Sequence, residues 1–195
     1  MNFKKQFFSL ISIIFDFYIL APLIFLIFII NLHLKSITII YASLYFFVSF
    51  IAFIIIKYLQ RDKDSDFISI NIEDGSRVAT SFYFSAWLLF IIIFLTIIGS
   101  SRVFLSFLEM FFVIMLLASI VSIFWRISYH SILSTSFTLI LIYFYGYIGV
   151  LFVIALILVW YSRIYLRKHS IKQLIAGFLL VLVIFFTFLY LHLLW

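Results

Sequence analysis

Long apolar runs govern what this chain can fold into. A helix crosses the hydrocarbon of a bilayer with about 20 apolar residues, and the sequence offers such runs at 7–30, 37–59, 80–99, 103–124 and 171–195. With 68% hydrophobic and only 10% charged residues over 195 positions, the chain has too little polar surface to clothe a soluble domain. The expected fold class is all-α: a polytopic transmembrane helical bundle of about five full spans, forming a single integral-membrane domain over 1–195. The start of the chain, Lys4 and Lys5 followed by the run at 7–30, has the outline of a secretion signal. That run is too long, and no small-residue cleavage site follows it, so it is expected to stay as the first helix.

One segment fits neither one crossing nor two. Residues 131–161 are too many for an ordinary span and too few for two full ones. A single tilted helix would leave His130 and His169 on opposite faces, about 30 Å apart. A short helical hairpin turning at Tyr145-Gly146-Tyr147-Ile148-Gly149 would give arms of roughly 14 residues, about 21 Å each at 1.5 Å per residue. Both histidines would then lie on one face. Charge favours the hairpin, which gathers every Lys and Arg except Lys35 and Arg102 on that face. The single helix strands Arg163, Arg167, Lys168 and Lys172 on the other, against the positive-inside tendency. The architecture expected is therefore about five spans plus the 131–161 hairpin, in the cell membrane, with Lys4 and Lys5 assigning the N-terminus and the histidine face to the cytoplasm.

The net charge of +6 does not point to nucleic acid, because the cations sit in short connections between apolar runs and form no soluble basic face. The membrane bilayer with its anionic headgroups, or a phosphorylated substrate, is the partner such a distribution fits. The chain has no cysteine, so disulfides and thiol catalysis are excluded. Two polar interruptions carry the candidate chemistry. Residues 125–131 contain Arg126, Ser128 and His130, and residues 162–173 contain Arg163, Arg167, Lys168, His169, Lys172 and Gln173. Phosphoryl transfer needs cations for the equatorial oxygens, an in-line nucleophile and an acid for the leaving oxygen. Guanidinium forks suit the first task and histidines the other two.

Ser162-Arg163, then His169 six residues after the arginine, then Gln173 four residues after the histidine, resembles the third signature of the type 2 phosphatidic acid phosphatase family, Ser-Arg-x5-His-x3-Asp. Arg126-Ile127-Ser128-Tyr129-His130 is similar to the family's second signature, Ser-Gly-His. The resemblance covers about residues 57–180 and is most specific in the third signature. It implies His169 as nucleophile, His130 as general acid, Arg163 and Ser128 as phosphate ligands, no metal or other cofactor, and a helical-bundle fold of the lipid phosphatase and haloperoxidase-like kind. The lipid phosphate substrate it implies is phosphatidate-type or a polyprenyl diphosphate.

This sequence also departs from the pattern. The first signature, Lys-x6-Arg-Pro, is missing, and the only proline is Pro22. Arg126, four residues before His130, is expected to replace the lost cation from the same helical face, with Arg77 and Lys57 as further candidates. Tyr129 stands where the family has glycine. Gln173 replaces the aspartate that orients the nucleophile, as in dolichyl and polyprenyl diphosphate phosphatases, which look similar here.

Each pick has a plainer reading. The cations of 162–173 also suit a positive-inside flank, and Ser170-x-x-Gln173 fits a helix capping box. Glu109, two turns after Arg102, reads as a structural ion pair. Asp62, Asp64 and Asp66 lack the glycine and terminal glutamate of a calcium loop. A catalytically silent relative that binds or transports lipid phosphates is the alternative function.

Overall fold

The computed structural model describes residues 3–15, 17–59 and 74–191, and among them there is helix but no strand. The described residues form α1 (Phe3–Ile14), α2 (Phe17–Leu32), α3 (Ser36–Leu59), α4 (Asp74–Ile97), α5 (Arg102–Phe124), α6 (Tyr129–Tyr145), α7 (Tyr147–Val150), α8 (Phe152–Tyr165) and α9 (Ile171–Tyr190). Three stretches among them are long and apolar enough to cross a membrane: α5, α7 continued by α8 over Tyr147–Tyr165, and α9. Such helices satisfy their backbone polar groups internally, as a lipid environment demands. Among the described residues the chain is all-helical, a helical bundle of a membrane protein.

The described residues delimit three such spans, or four with a bent pair counted as one, where the sequence suggests about five. Of the five runs the sequence offers, 103–124 and 171–195 are among these spans, and the third span is the second arm of the hairpin. The run at 7–30 divides into helices whose axes, over Phe3–Ile14 and Ile19–Leu32, differ by 43°.

Residues 131–161 fold back as a hairpin. Trp160 Nε1 donates to Ser131 Oγ at 3.0 Å, and the Phe137 and Phe152 rings meet edge to face at 5.8 Å, so α6 and α8 run antiparallel. The turn depends on two glycines. Gly146 has φ 55° and ψ −122°, a conformation that a Cβ makes costly. At Gly149 a Cβ would run into the Leu141 carbonyl and the Ile142 backbone nitrogen. Because this turn consumes so few residues, the arms exceed the expected 14: α6 has 17 residues, and Tyr147–Tyr165 has 19.

Helix α6 is the hub, packed on α2, α8 and α9. Its buried side chains include Ser131, Ser134, Thr135, Ser136 and Thr138. Two of these return their protons to their own helix: Ser134 Oγ donates to the His130 carbonyl at 2.6 Å and Thr138 Oγ1 to the Ser134 carbonyl at 2.8 Å. Small side chains let neighbouring backbones approach. On α9 the approach is closest at Gly177, where a Cβ would lie 2.9 Å from the Ser128 carbonyl oxygen. Aromatic packing fills the core, with Phe28 set against Phe104 at 5.6 Å and Phe107 at 4.8 Å.

The bundle has two unlike ends. At the hairpin tip, Asn31 Nδ2 donates to the Tyr145 hydroxyl at 2.9 Å. The first turn of α3 meets the α4–α5 connection where Thr38 and Ser100 hydroxyls lie 3.0 Å apart. Lys35 lies in the α2–α3 connection and Arg102 opens α5, where it pairs with Glu109 at 3.0 Å, the ion pair their spacing suggests. Arg126, Arg163, Arg167, Lys168 and Lys172 all lie at the opposite end, where α5 and α8 finish and α6 and α9 begin.

Candidate active site

At that opposite end, α5 stops at Trp125, whose backbone is extended at φ −156° and ψ 131°. Ser128 then caps α6, its hydroxyl oxygen accepting from the Ser131 N–H at 3.4 Å. Its own N–H donates to the Gln173 carbonyl at 3.4 Å, which ties the start of α6 to the first turn of α9. Ser131 Oγ adds a bond to the Leu174 carbonyl at 2.7 Å. His130, in the first turn of α6, is thereby fixed relative to the segment that carries His169.

The end of α8 supplies the second half. The Lys168 N–H donates to the Arg163 carbonyl at 3.0 Å and the Arg167 N–H to the Ile164 carbonyl at 2.9 Å, the two bonds of a Schellman motif. Arg167 takes the left-handed position with φ 54°, where glycine is the usual residue. This reversal withdraws the last α8 carbonyls into the backbone and turns the chain so that α9 can start beside α6. Arg163 and His169 are each only 9% exposed, unusual for such polar side chains.

The Gln173 side-chain oxygen has two neighbours. Its Oε1 accepts from the Ser170 N–H at 3.0 Å while Ser170 Oγ accepts from the Gln173 N–H at 3.4 Å, closing a capping box. The same Oε1 lies 3.3 Å from His169 Nδ1. A backbone N–H can only donate, so the amide atom facing it is oxygen, and the His169 nitrogen sharing that oxygen must donate too. The proton of neutral His169 is therefore on Nδ1 and the lone pair on Nε2.

Ser12, on α1, is a site residue the sequence reading did not single out. Arg163 Nη1 donates to its hydroxyl at 2.6 Å, and His130 Nε2 lies 3.4 Å from the same oxygen. Helix α1 is held there by Phe8, whose ring packs 5.1 Å from that of Tyr161 and 4.7 Å from that of Tyr165, and whose carbonyl accepts from Ser162 Oγ at 2.7 Å. A sequence signal did exist: Ser9, Ser12 and Asp16 recur at helical spacing in an otherwise apolar run.

The structure thus joins His130 to Arg163 through Ser12, and Ser128 and His169 to Gln173. Arg126 is exposed at the same end but is not on a helical face with His130, because α6 begins only at Tyr129 and residues 125–128 lie outside any helix. The side chains of Lys57 and Arg77, which fall in α3 and α4, lie outside the described residues. Among the described residues no three His, Asp or Glu side chains group as metal ligands would. One helical turn from His130 along α6, Leu133 lines a wholly apolar cavity with Phe25 and Phe28 of α2, Leu88 of α4 and Met115 of α5.

Searched against protein-family models, curated protein sequences and solved structures, the chain matches none.

The double use of the Gln173 oxygen gives a test. Gln173→Ala should lose about 1 kcal/mol of stability with the cap and also release the His169 ring. Gln173→Glu, which keeps an acceptor oxygen at that place, should retain both. Thermal unfolding and an imidazole nitrogen spectrum separate the two effects: a melting shift with His169 unmoved would leave Gln173 as a cap alone.

Proposed function

We propose that this protein is a membrane lipid phosphatase, hydrolysing a phosphomonoester or diphosphate headgroup through a phosphohistidine intermediate. The observation that carries the reading is the meeting of α6 and α9 N-termini through Ser128 and Gln173, with Arg163 and both histidines at the same end. Helix N-termini favour bound phosphate, and the opposing α8 terminus has its carbonyls engaged in the Schellman bonds. The replacement of aspartate by Gln173 inclines the choice toward a polyprenyl diphosphate over a phosphatidate-type substrate.

In this mechanism His169 Nε2 attacks phosphorus, forming the P–N bond as the bond to the leaving oxygen breaks. Arg163, aided by Arg126, neutralises the charge on the equatorial oxygens. His130 gives its proton to the leaving oxygen and then takes one from the water that attacks phosphorus, which breaks the P–N bond and releases phosphate. The concentration of cations at this end supports a cytoplasmic orientation for the site.

Phosphate release from lipid phosphates by purified protein, with chelator present, tests the reading. Wild type should turn over, and His130→Ala should cost roughly 10²–10⁴-fold on an alkyl monoester, whose leaving oxygen needs a proton. The loss should be smaller on a diphosphate, which leaves as a better anion. Equal losses on both would remove His130 from the acid role. Binding without any turnover in wild type would select a silent lipid-phosphate binder instead.

A further inference from the structure

We infer that Ser12 is a positioning residue, which sets the Arg163 guanidinium and the His130 imidazole relative to one another and makes α1 a wall of the site. The consequence for turnover rests on the phosphatase reading; the positioning itself does not. Ser12 is 9% exposed, and its oxygen is reached by two groups from two other helices, Arg163 of α8 and His130 of α6. These residues stand 151 and 118 positions away in the chain, so one hydroxyl clasps three helices. The placement of α1 is specific as well as apolar: Phe8 lodges against Tyr161 and Tyr165, and its carbonyl is bonded by Ser162, the neighbour of Arg163.

Hydroxyl chemistry explains why serine suits this place. Its oxygen has two acceptor sites and one proton to donate. Arg163 can only donate, so it occupies one acceptor site in every state. With Nε2–H of His130 filling the second acceptor site, the serine proton turns outward as a donor for a phosphoryl oxygen. Both bonds hold whether His130 is neutral or protonated, because the proton it gives to the leaving oxygen is then the one on Nδ1. The hydroxyl therefore keeps its two partners in place while His130 gains and loses a proton, as an acid that later serves as a base must do. Alanine would leave the guanidinium and the imidazole facing each other with no oxygen between them.

The test uses the full chain with 15N-labelled histidines, the His130 ring signals being assigned by their loss in His130→Gln. Ser12→Ala should shift His130 Nε2, and Ser12→Thr, which keeps the hydroxyl, should restore the wild-type position. Exposed Ile13→Ala on the same helix should leave it unmoved. An unchanged His130 spectrum in Ser12→Ala would overturn the inference. In the phosphate-release assay Ser12→Ala should lower kcat by roughly 10- to 100-fold, the cost of misplacing a reacting group, with little change in KM and with rescue by threonine. A wild type that turns over and a Ser12→Ala variant that equals it would also overturn the inference. A wild type with no turnover refutes the phosphatase reading, and the histidine spectrum then decides on Ser12 by itself.

Discussion

Replacing His169 by alanine should slow phosphate release by at least about 10³-fold on any lipid phosphate that the wild type hydrolyses, because it removes the atom that forms the covalent intermediate. The geometry makes this sharper than a general expectation for a buried histidine. Gln173 Oε1 holds the proton on Nδ1, which leaves Nε2 as the nitrogen proposed to attack phosphorus. His169 is buried at the boundary between the α8 reversal and the α9 cap, so its ring has little freedom to present the other nitrogen. Wild type incubated with a substrate labelled in its phosphate should yield an acid-labile phosphoprotein, and His169→Ala should yield none. A variant with near wild-type turnover, or one still labelled, would overturn the mechanism. The Ser170–Gln173 cap does not involve the His169 side chain, so the variant is expected to keep its fold.

The second large effect concerns the hairpin and is independent of chemistry. Gly149→Ala should cost about 3 kcal/mol, at the upper end of the range for overpacking, because the new methyl meets the Leu141 carbonyl and the Ile142 nitrogen, which are backbone atoms with no rotamer to yield. Against a typical total of about 5–15 kcal/mol that is a large fraction. Thermal unfolding of the purified variant measures it. A melting temperature equal to wild type would show that α7 does not approach α6 as closely as described. The hairpin has a direct check too, since the chain has no cysteine. Single thiols placed by Trp125→Cys and Lys168→Cys, both at exposed positions, should react with an impermeant reagent from the same side of the membrane. Reaction from opposite sides would mean that the segment crosses once.

Much of this architecture is legible in the sequence because its causes are local. The apolar runs at 37–59 and 103–124 become α3 and α5 within a residue at either end. Glycines punctuate the turn between α6 and α8, and Ser170 and Gln173 announce the start of α9. Local pattern does not tell which helix lies opposite which. Nothing near Ser12 says that Arg163 will find it, or that α1 will pack on α8, far away in the chain. Arg126 shows the complementary error. Its spacing from His130 implies a shared helical face only if the helix has already begun, and the extended backbone after Trp125 delays that start. Arg167 carries no signal at all, since a left-handed arginine at a helix end is a position where backbone preference alone would choose glycine.

The Gln173 oxygen has one last implication, for how such a site could change over generations. Functional residues are commonly held at a cost in stability, so that variation which steadies a protein tends to dull it. Here a single amide oxygen completes the start of a helix and fixes the tautomer of the proposed nucleophile. A change that loosens one loosens the other. Selection for a sturdier chain and selection for a faster one would then press on the same atom in the same direction, leaving position 173 few neutral alternatives beyond side chains that keep an acceptor oxygen there.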